Sequence, residues 1–151
     1  IWSRLGAAAD LEVALDAGGW PLAGGGGAAT LRDLARVGQL VLDRGRDVVP
    51  AAFIDDLLAP PADARAAFAR SEAAREMGMR RGAYRSQWWV PEPLPDGRGL
   101  LLAAGIHGQE LLVDASQRVV VARLASWPTA WDAALALDGR RIARAVVDAL
   151  A

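Results

Sequence analysis

The hydrophobic pattern changes at residues 80–84, and this change limits the possible folds more than any other feature of the sequence. Before it, apolar residues recur at helical spacing. After it, short apolar and aromatic runs of strand length are separated by turn residues. Helices followed by a run of strands indicate an α+β protein rather than alternating βαβ units. We therefore predict one domain over residues 1–151, mainly helical to about residue 80, with antiparallel strands and a closing C-terminal helix over about 84–151.

A capping box marks the start of the clearest helix. Thr30 is followed three residues later by Asp33, which fits a hydroxyl N-cap with an acid in the first turn. The apolar stripe of this segment predicts that Arg32, Asp33 and Arg36 face solvent, and Gly45 is expected to end the segment.

Turn residues divide the rest of the first half. Residues 11–16 and 20–23 flank a glycine turn, which predicts a hairpin. Residues 50–58 predict a short helix that the prolines at 60–61 end. Residues 63–77 predict one alanine-rich helix.

Three or four antiparallel strands are predicted in the second half. They are residues 87–90, 99–106, 109–114 and 118–125. Asp138 is expected to open the closing helix, which packs across the sheet. Its predicted buried face is Ile142, Val146, Val147 and Leu150, with arginines on the opposite side.

Composition excludes several functions. The net charge of -1 leaves no basic excess for nucleic acid, and the longest apolar run is far shorter than the ~20 residues that span a bilayer. All 17 basic residues are arginine and there is no cysteine. The chain therefore offers no thiolate nucleophile, Schiff-base lysine or phosphate-loop lysine, and we predict no metal and no cofactor. The compartment is left open between bacterial cytoplasm and periplasm.

The single histidine, His107, lies in a glycine-rich segment, either between two predicted strands or along one kinked strand. One histidine cannot form a metal site unaided, and no serine lies in a G-x-S-x-G elbow, so a structural histidine is favoured over a catalytic one. Gly105 and Gly108 let a ligand or another backbone approach closely. This segment is therefore a candidate substrate edge.

Two other features suggest a different class of function. Trp88 and Trp89 are adjacent in a predicted strand, so their side chains point to opposite faces, and one of them could line a cleft. The glycine run at 24–27 precedes a helix N-terminus, although a simple turn is the favoured interpretation. The alternative to an enzyme is thus a noncatalytic domain that binds a small ligand through exposed tryptophans and this loop. A gene remnant without function is a third possibility.

An ordered set of segments resembles one family. Residues 24–38, 87–90, 105–109 and 119–121 resemble the penicillin-recognising serine hydrolases, specifically class C β-lactamase-like esterases and 6-aminohexanoate-dimer hydrolases. The resemblance implies a partial domain, the C-terminal portion of a β-lactamase-like fold. It also implies a hydrolase that cleaves small esters, amides or β-lactam-like substrates through an acyl-enzyme.

The family's nucleophile motifs are implied to lie elsewhere. Its S-x-x-K motif needs a lysine that this chain lacks, and Tyr84 falls too late along the chain for the Y-x-[SN] motif. The serine, lysine and tyrosine are therefore expected in an N-terminal half of the same protein, upstream of Ile1. We expect this chain alone to be inactive.

The family's third motif, K-T-G, aligns with either residues 103–105 or residues 106–108, and in both cases the lysine is replaced, as in the esterase and amidase branches. The main-chain N–H of Ile106, or alternatively that of Gln109, is then implied to donate to the oxyanion of the attacked carbonyl. The residues implied to bind substrate are Gly105, His107, Gly108, Gln109, and one of Trp88 and Trp89.

Overall fold

The computed structural model describes residues 1–93 and 99–150. Residues 94–98 and 151 belong to the predicted second half and lie outside the described residues. The described part confirms the α+β class, with an antiparallel sheet, helices on both of its faces and a C-terminal helix. No helix within this part is both long and apolar enough to cross a bilayer.

Five α-helices and seven strands are described. The helices are α1 (Leu31–Leu42), α2 (Ala51–Leu58), α3 (Ala62–Ala69), α4 (Glu72–Glu76) and α5 (Ala133–Leu150). The strands are β1 (Glu12–Val13), β2 (Gly27–Ala28), β3 (Ala83–Arg85), β4 (Trp88–Val90), β5 (Leu100–Ala104), β6 (Glu110–Asp114) and β7 (Val119–Arg123). Strands β3 to β7 form one antiparallel meander, and β1 pairs with β2. The meander includes β3, which the sequence analysis did not predict.

The central strands β5 and β6 of the five-stranded sheet are buried on both faces. Leu101, Leu111 and Val113 face a core formed with α1 and α2. Leu102 and Leu112 face a second core formed with α3, α4 and α5. A strand covered on both sides needs no polar face, which is why β5 is a continuous apolar run.

Helix α1 begins and ends as its sequence predicts. The Thr30 hydroxyl accepts a hydrogen bond from the Asp33 N–H at 3.1 Å. Gly45 follows the helix with a φ of +91°, and its N–H donates to the Leu40 carbonyl at 2.8 Å. A Cβ on Gly45 would overlap the Val49 carbonyl, so glycine is required here.

The prediction that Asp33 faces solvent is wrong. Its side chain is fully buried, because the N-terminal segment folds back over the start of α1. The carboxylate accepts hydrogen bonds from the Ala8 N–H at 2.9 Å, the Ala9 N–H at 3.2 Å and the Thr30 hydroxyl at 2.8 Å. Arg36 pairs with it at 2.5 Å. Asp33 thus joins residues 8–9 to the helix.

These contacts predict a loss of stability in acid. The Ala8 N–H, followed by the Thr30 hydroxyl, holds the pKa of Asp33 below its ordinary value of 3.8. A lowered folded-state pKa stabilises the fold above pH 3.8 and loses that contribution as the pH falls through the folded-state pKa. We expect Asp33→Asn to be less stable than the natural protein at pH 7 and this difference to shrink in acid. Urea unfolding at both pH values measures it, and a pH-independent difference would contradict the assignment.

One predicted element of the first half forms in a shorter version and another is corrected. The hairpin over residues 11–16 and 20–23 forms at residues 14–22, where an antiparallel Leu15–Pro21 bridge is flanked by hydrogen bonds from Asp16 N–H to Trp20 O and from Leu22 N–H to Ala14 O, both at 2.9 Å. Residues 12–13 pair with β2. The single helix predicted over 63–77 is two helices, α3 and α4. Ser71 separates them by accepting from the Ala74 N–H at 3.1 Å while donating to the Phe68 carbonyl at 2.7 Å.

The predicted buried face of the closing helix is also wrong, apart from Val147. Helix α5 starts at Ala133, five residues before Asp138. Its buried residues are Ala136, Gly139, Ala143 and Val147. Ile142 and Leu150 are 64% and 68% exposed. Small residues face the sheet because the helix lies close to it.

Candidate active-site turn

The glycine-rich segment forms a tight turn between β5 and β6. The Gly105 N–H donates to the Gln109 carbonyl at 2.8 Å and closes the turn. Ile106–Gly108 forms a 3₁₀ turn in which His107 and Gly108 have φ values of +57° and +87°. A histidine in the left-handed region is uncommon and is kept there only by its surroundings. Residues 105–108 are called the 105–108 turn below.

Ile106 leaves its main-chain N–H without an acceptor in the described part of the chain. It is the first residue of the 3₁₀ turn, a position whose N–H has no intrahelical partner. Its side chain is 66% exposed, so the residue lies at the surface. This N–H can therefore bind an acceptor that comes from outside the described residues.

His107 is fixed by residues 125–130, called the 125–130 segment below. Its Nδ1 lies 2.8 Å from the Trp127 carbonyl oxygen, which can only accept, so Nδ1 carries the hydrogen. Its main-chain N–H donates to Ala130, and its carbonyl accepts from the Trp127 N–H. In the neutral ring, Nε2 remains a hydrogen-bond acceptor.

The side chain of Gln109 is bound to the same segment. Its Nε2 donates to the Ala125 carbonyl at 2.6 Å, and its Oε1 accepts from the Ala125 N–H at 3.2 Å. Both ends of the amide are therefore engaged by one residue of the backbone. These two hydrogen bonds fix the orientation of the Gln109 side chain against the 125–130 segment.

Trp88 and Trp89 point to opposite faces, as predicted, but both rings pack within the sheet layers. Trp88 packs against the core shared with α1 and α2. Trp89 contacts Tyr84 at 4.5 Å and Phe68 at 6.0 Å between ring centroids. The tryptophan that reaches the 105–108 turn is Trp127, since a Cβ on Gly108 would overlap its indole.

A buried ion pair lies behind the turn. Glu110, the first residue of β6, is 7% exposed and pairs with Arg123 at 2.6 Å. Burial raises the pKa of Glu110, and attraction to Arg123 and Arg140 opposes that rise. The Arg123 guanidinium carbon also lies 5.4 Å from the centroid of the Trp127 ring. The sequence analysis did not identify this cluster.

Comparisons with known proteins found relatives of one type. No family model matches the chain. A Paenarthrobacter ureafaciens protein named 6-aminohexanoate-dimer hydrolase is 33% identical over 132 residues, which are 85% of this chain and 32% of that protein. The solved structure of a Bacillus anthracis protein, provisionally described as a 6-aminohexanoate-dimer hydrolase, matches with a TM-score of 0.68 at 23% identity, covering 97% of this chain and 36% of that one. The chain is a homologue of the β-lactamase-like serine hydrolases of the 6-aminohexanoate-dimer hydrolase type.

The similarity to 6-aminohexanoate-dimer hydrolases confirms the resemblance inferred from the sequence. The chain spans about a third of the length of each relative that it matches. The matched part corresponds to the C-terminal portion of a β-lactamase-like serine hydrolase. The individual roles of the turn residues stay predictions.

The structure gives less support to a metal site or an anion site than to a site at the 105–108 turn. Among residues 1–93 and 99–150, no three histidine, cysteine, aspartate or glutamate side chains cluster to hold a metal ion. The N-terminus of α1 is capped by Thr30 and already faces the Asp33 carboxylate, so the glycine run is a poor anion site. The noncatalytic alternative needs exposed tryptophans, and Trp20, beside the Leu15–Pro21 bridge, is one that is 73% exposed.

Proposed function

We propose that this chain forms part of the active site of a hydrolase that cleaves small amides or esters through an acyl-enzyme. The observation that carries the proposal is the main-chain N–H of Ile106, which has no acceptor among residues 1–93 and 99–150 and lies in a turn whose other groups are held in place. Support comes from the Paenarthrobacter ureafaciens relative, whose name specifies hydrolysis of a 6-aminohexanoate dimer.

The role of this N–H follows from acyl-transfer chemistry. When a nucleophile attacks a carbonyl, the carbonyl oxygen becomes an oxyanion, and a fixed N–H aimed at that oxygen stabilises the transition state. Ile106 is fixed between Gly105, whose N–H is bonded, and His107, which is held at three points. We assign the donor to Ile106 rather than Gln109.

The remaining residues of the 105–108 turn receive complementary roles in this proposal. Gly105 is exposed and has no side chain, so a substrate carbonyl can approach the backbone closely. Nε2 of His107 accepts a hydrogen bond from a substrate N–H. Gly108 and Gln109 maintain the shape of the turn. Trp88 and Trp89 support β5 from the two core layers.

The nucleophile is contributed from outside this chain. No lysine is present among its 151 residues, so an S-x-x-K motif cannot lie within it. The proposal therefore requires that motif in the coding sequence upstream of Ile1. Its absence there would refute the proposal.

Trapping of the acyl-enzyme tests the proposal directly. The protein that includes the upstream region is mixed with a p-nitrophenyl ester and examined by stopped-flow absorbance and by mass spectrometry. We expect a burst of p-nitrophenol and an acyl adduct on the upstream serine, because deacylation follows as a separate step. The 151-residue chain alone is the control and should show neither. Turnover by the isolated chain would contradict the proposed division of the site.

A further inference from the structure

The 125–130 segment is not part of any helix or strand, yet it makes five hydrogen bonds to the 105–108 turn and the adjoining Gln109. They join the His107 N–H to Ala130 O, the Trp127 N–H to His107 O, His107 Nδ1 to Trp127 O, Gln109 Nε2 to Ala125 O, and the Ala125 N–H to Gln109 Oε1. The 125–130 segment thus makes five hydrogen bonds to the turn and Gln109, whereas the turn closes on itself with one, from the Gly105 N–H to the Gln109 carbonyl.

Trp127 is the side chain of this segment that packs on the turn. Its indole lies where a Cβ of residue 108 would be, so the bare backbone of Gly108 is in contact with the ring. Gly108 also has a φ of +87°, which side chains rarely adopt. The contact and the left-handed backbone therefore depend on the same glycine.

The Trp127 indole also contacts Arg123. Its guanidinium lies against the Trp127 ring and also pairs with the buried Glu110. Gly139 of α5 makes room for this guanidinium, since a Cβ there would overlap it. The position of Trp127 is thereby linked to the sheet and to the closing helix.

We propose that Trp127, held by Arg123, is a positioning residue that fixes the direction of the Ile106 N–H. This inference rests on the proposed function, because positioning affects activity only if that N–H binds the oxyanion. The left-handed backbone of His107 persists only if surrounding contacts hold it in place. The Trp127 indole supplies one of these contacts by packing against the next residue, Gly108.

Substitutions at Trp127 test the inference in the protein that carries the nucleophile. We expect Trp127→Ala to lower kcat by about tenfold to a hundredfold with little change in KM, because small displacements of a catalytic group cost up to this much. Trp127→Phe keeps an aromatic face against Gly108 and should recover most of the activity. Trp20→Ala, which removes an exposed indole, is the matched control and should leave kcat unchanged.

Hydrogen–deuterium exchange provides a second readout that is independent of activity. In Trp127→Ala, the amides of residues 107 and 127, which are hydrogen-bonded between the turn and the 125–130 segment, should exchange faster, whereas those of residues 111–113 in β6 should keep their protection. Loss of protection in both regions would show general destabilisation and overturn the specific role. Unchanged exchange at 107 and 127 would overturn it as well.

The two proposals fail in different ways. If loss of the Ile106 N–H abolishes activity while Trp127→Ala retains a normal kcat, the positioning role is refuted and the proposed function stands. If the enzyme does not need the Ile106 N–H at all, the proposed function fails, and with it the inference.

Discussion

Replacing Ile106 by proline should lower kcat by about 10²- to 10³-fold in the protein that carries the nucleophile, the cost expected for loss of one oxyanion donor. Proline has no main-chain N–H, so the substitution deletes the proposed donor. KM should change little, because the hydrogen bond strengthens in the transition state rather than in the bound substrate. Steady-state hydrolysis of a p-nitrophenyl ester measures both constants.

The local backbone suits this experiment. Gly105 has a φ of -110° and a ψ of 171°, the extended conformation that a residue before proline prefers. Ile106 is not among the residues with a positive φ, and its N–H has no acceptor within residues 1–93 and 99–150, so proline at this position breaks no hydrogen bond of the described structure. Ile106→Val keeps the N–H and is the matched control, expected to retain nearly all activity. If the proline variant matched the valine variant in kcat, Ile106 would not be the donor.

Local signals were sufficient to predict the elements that local contacts form. The Thr30–Asp33 capping box begins α1, and the strand-length runs after residue 84 match β4 to β7. The capping box joins two residues that are three positions apart. The strands are indicated by a short pattern of apolar residues and turn residues. The fold class followed from their order along the chain.

Contacts between distant residues account for what the sequence analysis missed. The buried side chain of Asp33 is bonded to residues 8–9, which lie about 25 positions away and carry no side-chain signal for that contact. The apolar periodicity of α5 favoured Ile142, but the close approach of helix and sheet selects Gly139 and Ala143 instead. A pattern of hydrophobicity does not report interhelical or helix–sheet distance.

The candidate site was predicted in part. The glycines at 105 and 108 identified the turn, because a glycine pair in a strand region indicates close approach of another group. The group that packs on Gly108 is the side chain of Trp127, whereas the sequence analysis expected a ligand or another backbone there. The 125–130 segment contributes only main-chain groups to its five hydrogen bonds with the turn and Gln109, so its own side chains carry no motif for this contact.

The two-sided burial of β5 leads to the largest stability effects that we expect. Leu101 and Leu102 are neighbours in the chain, but each is almost completely buried in a different core. Leu101→Ala and Leu102→Ala should each lower the free energy of unfolding by about 2–5 kcal/mol, the range for a buried leucine that leaves a cavity. Urea denaturation followed by circular dichroism measures these values.

Two further variants test whether the stability loss comes from burial in the sheet: the double variant at 101 and 102, and an exposed leucine as the control. Because the two side chains share no core cluster, their effects should add, and a combined loss of about 4–10 kcal/mol approaches the whole stability of a typical domain. The double variant should therefore be largely unfolded. Leu124→Ala, at a side chain that is 50% exposed just after β7, should change stability by only about 0.5 kcal/mol. If either single variant at 101 or 102 were as mild as this control, one face of the sheet would have to be open to solvent.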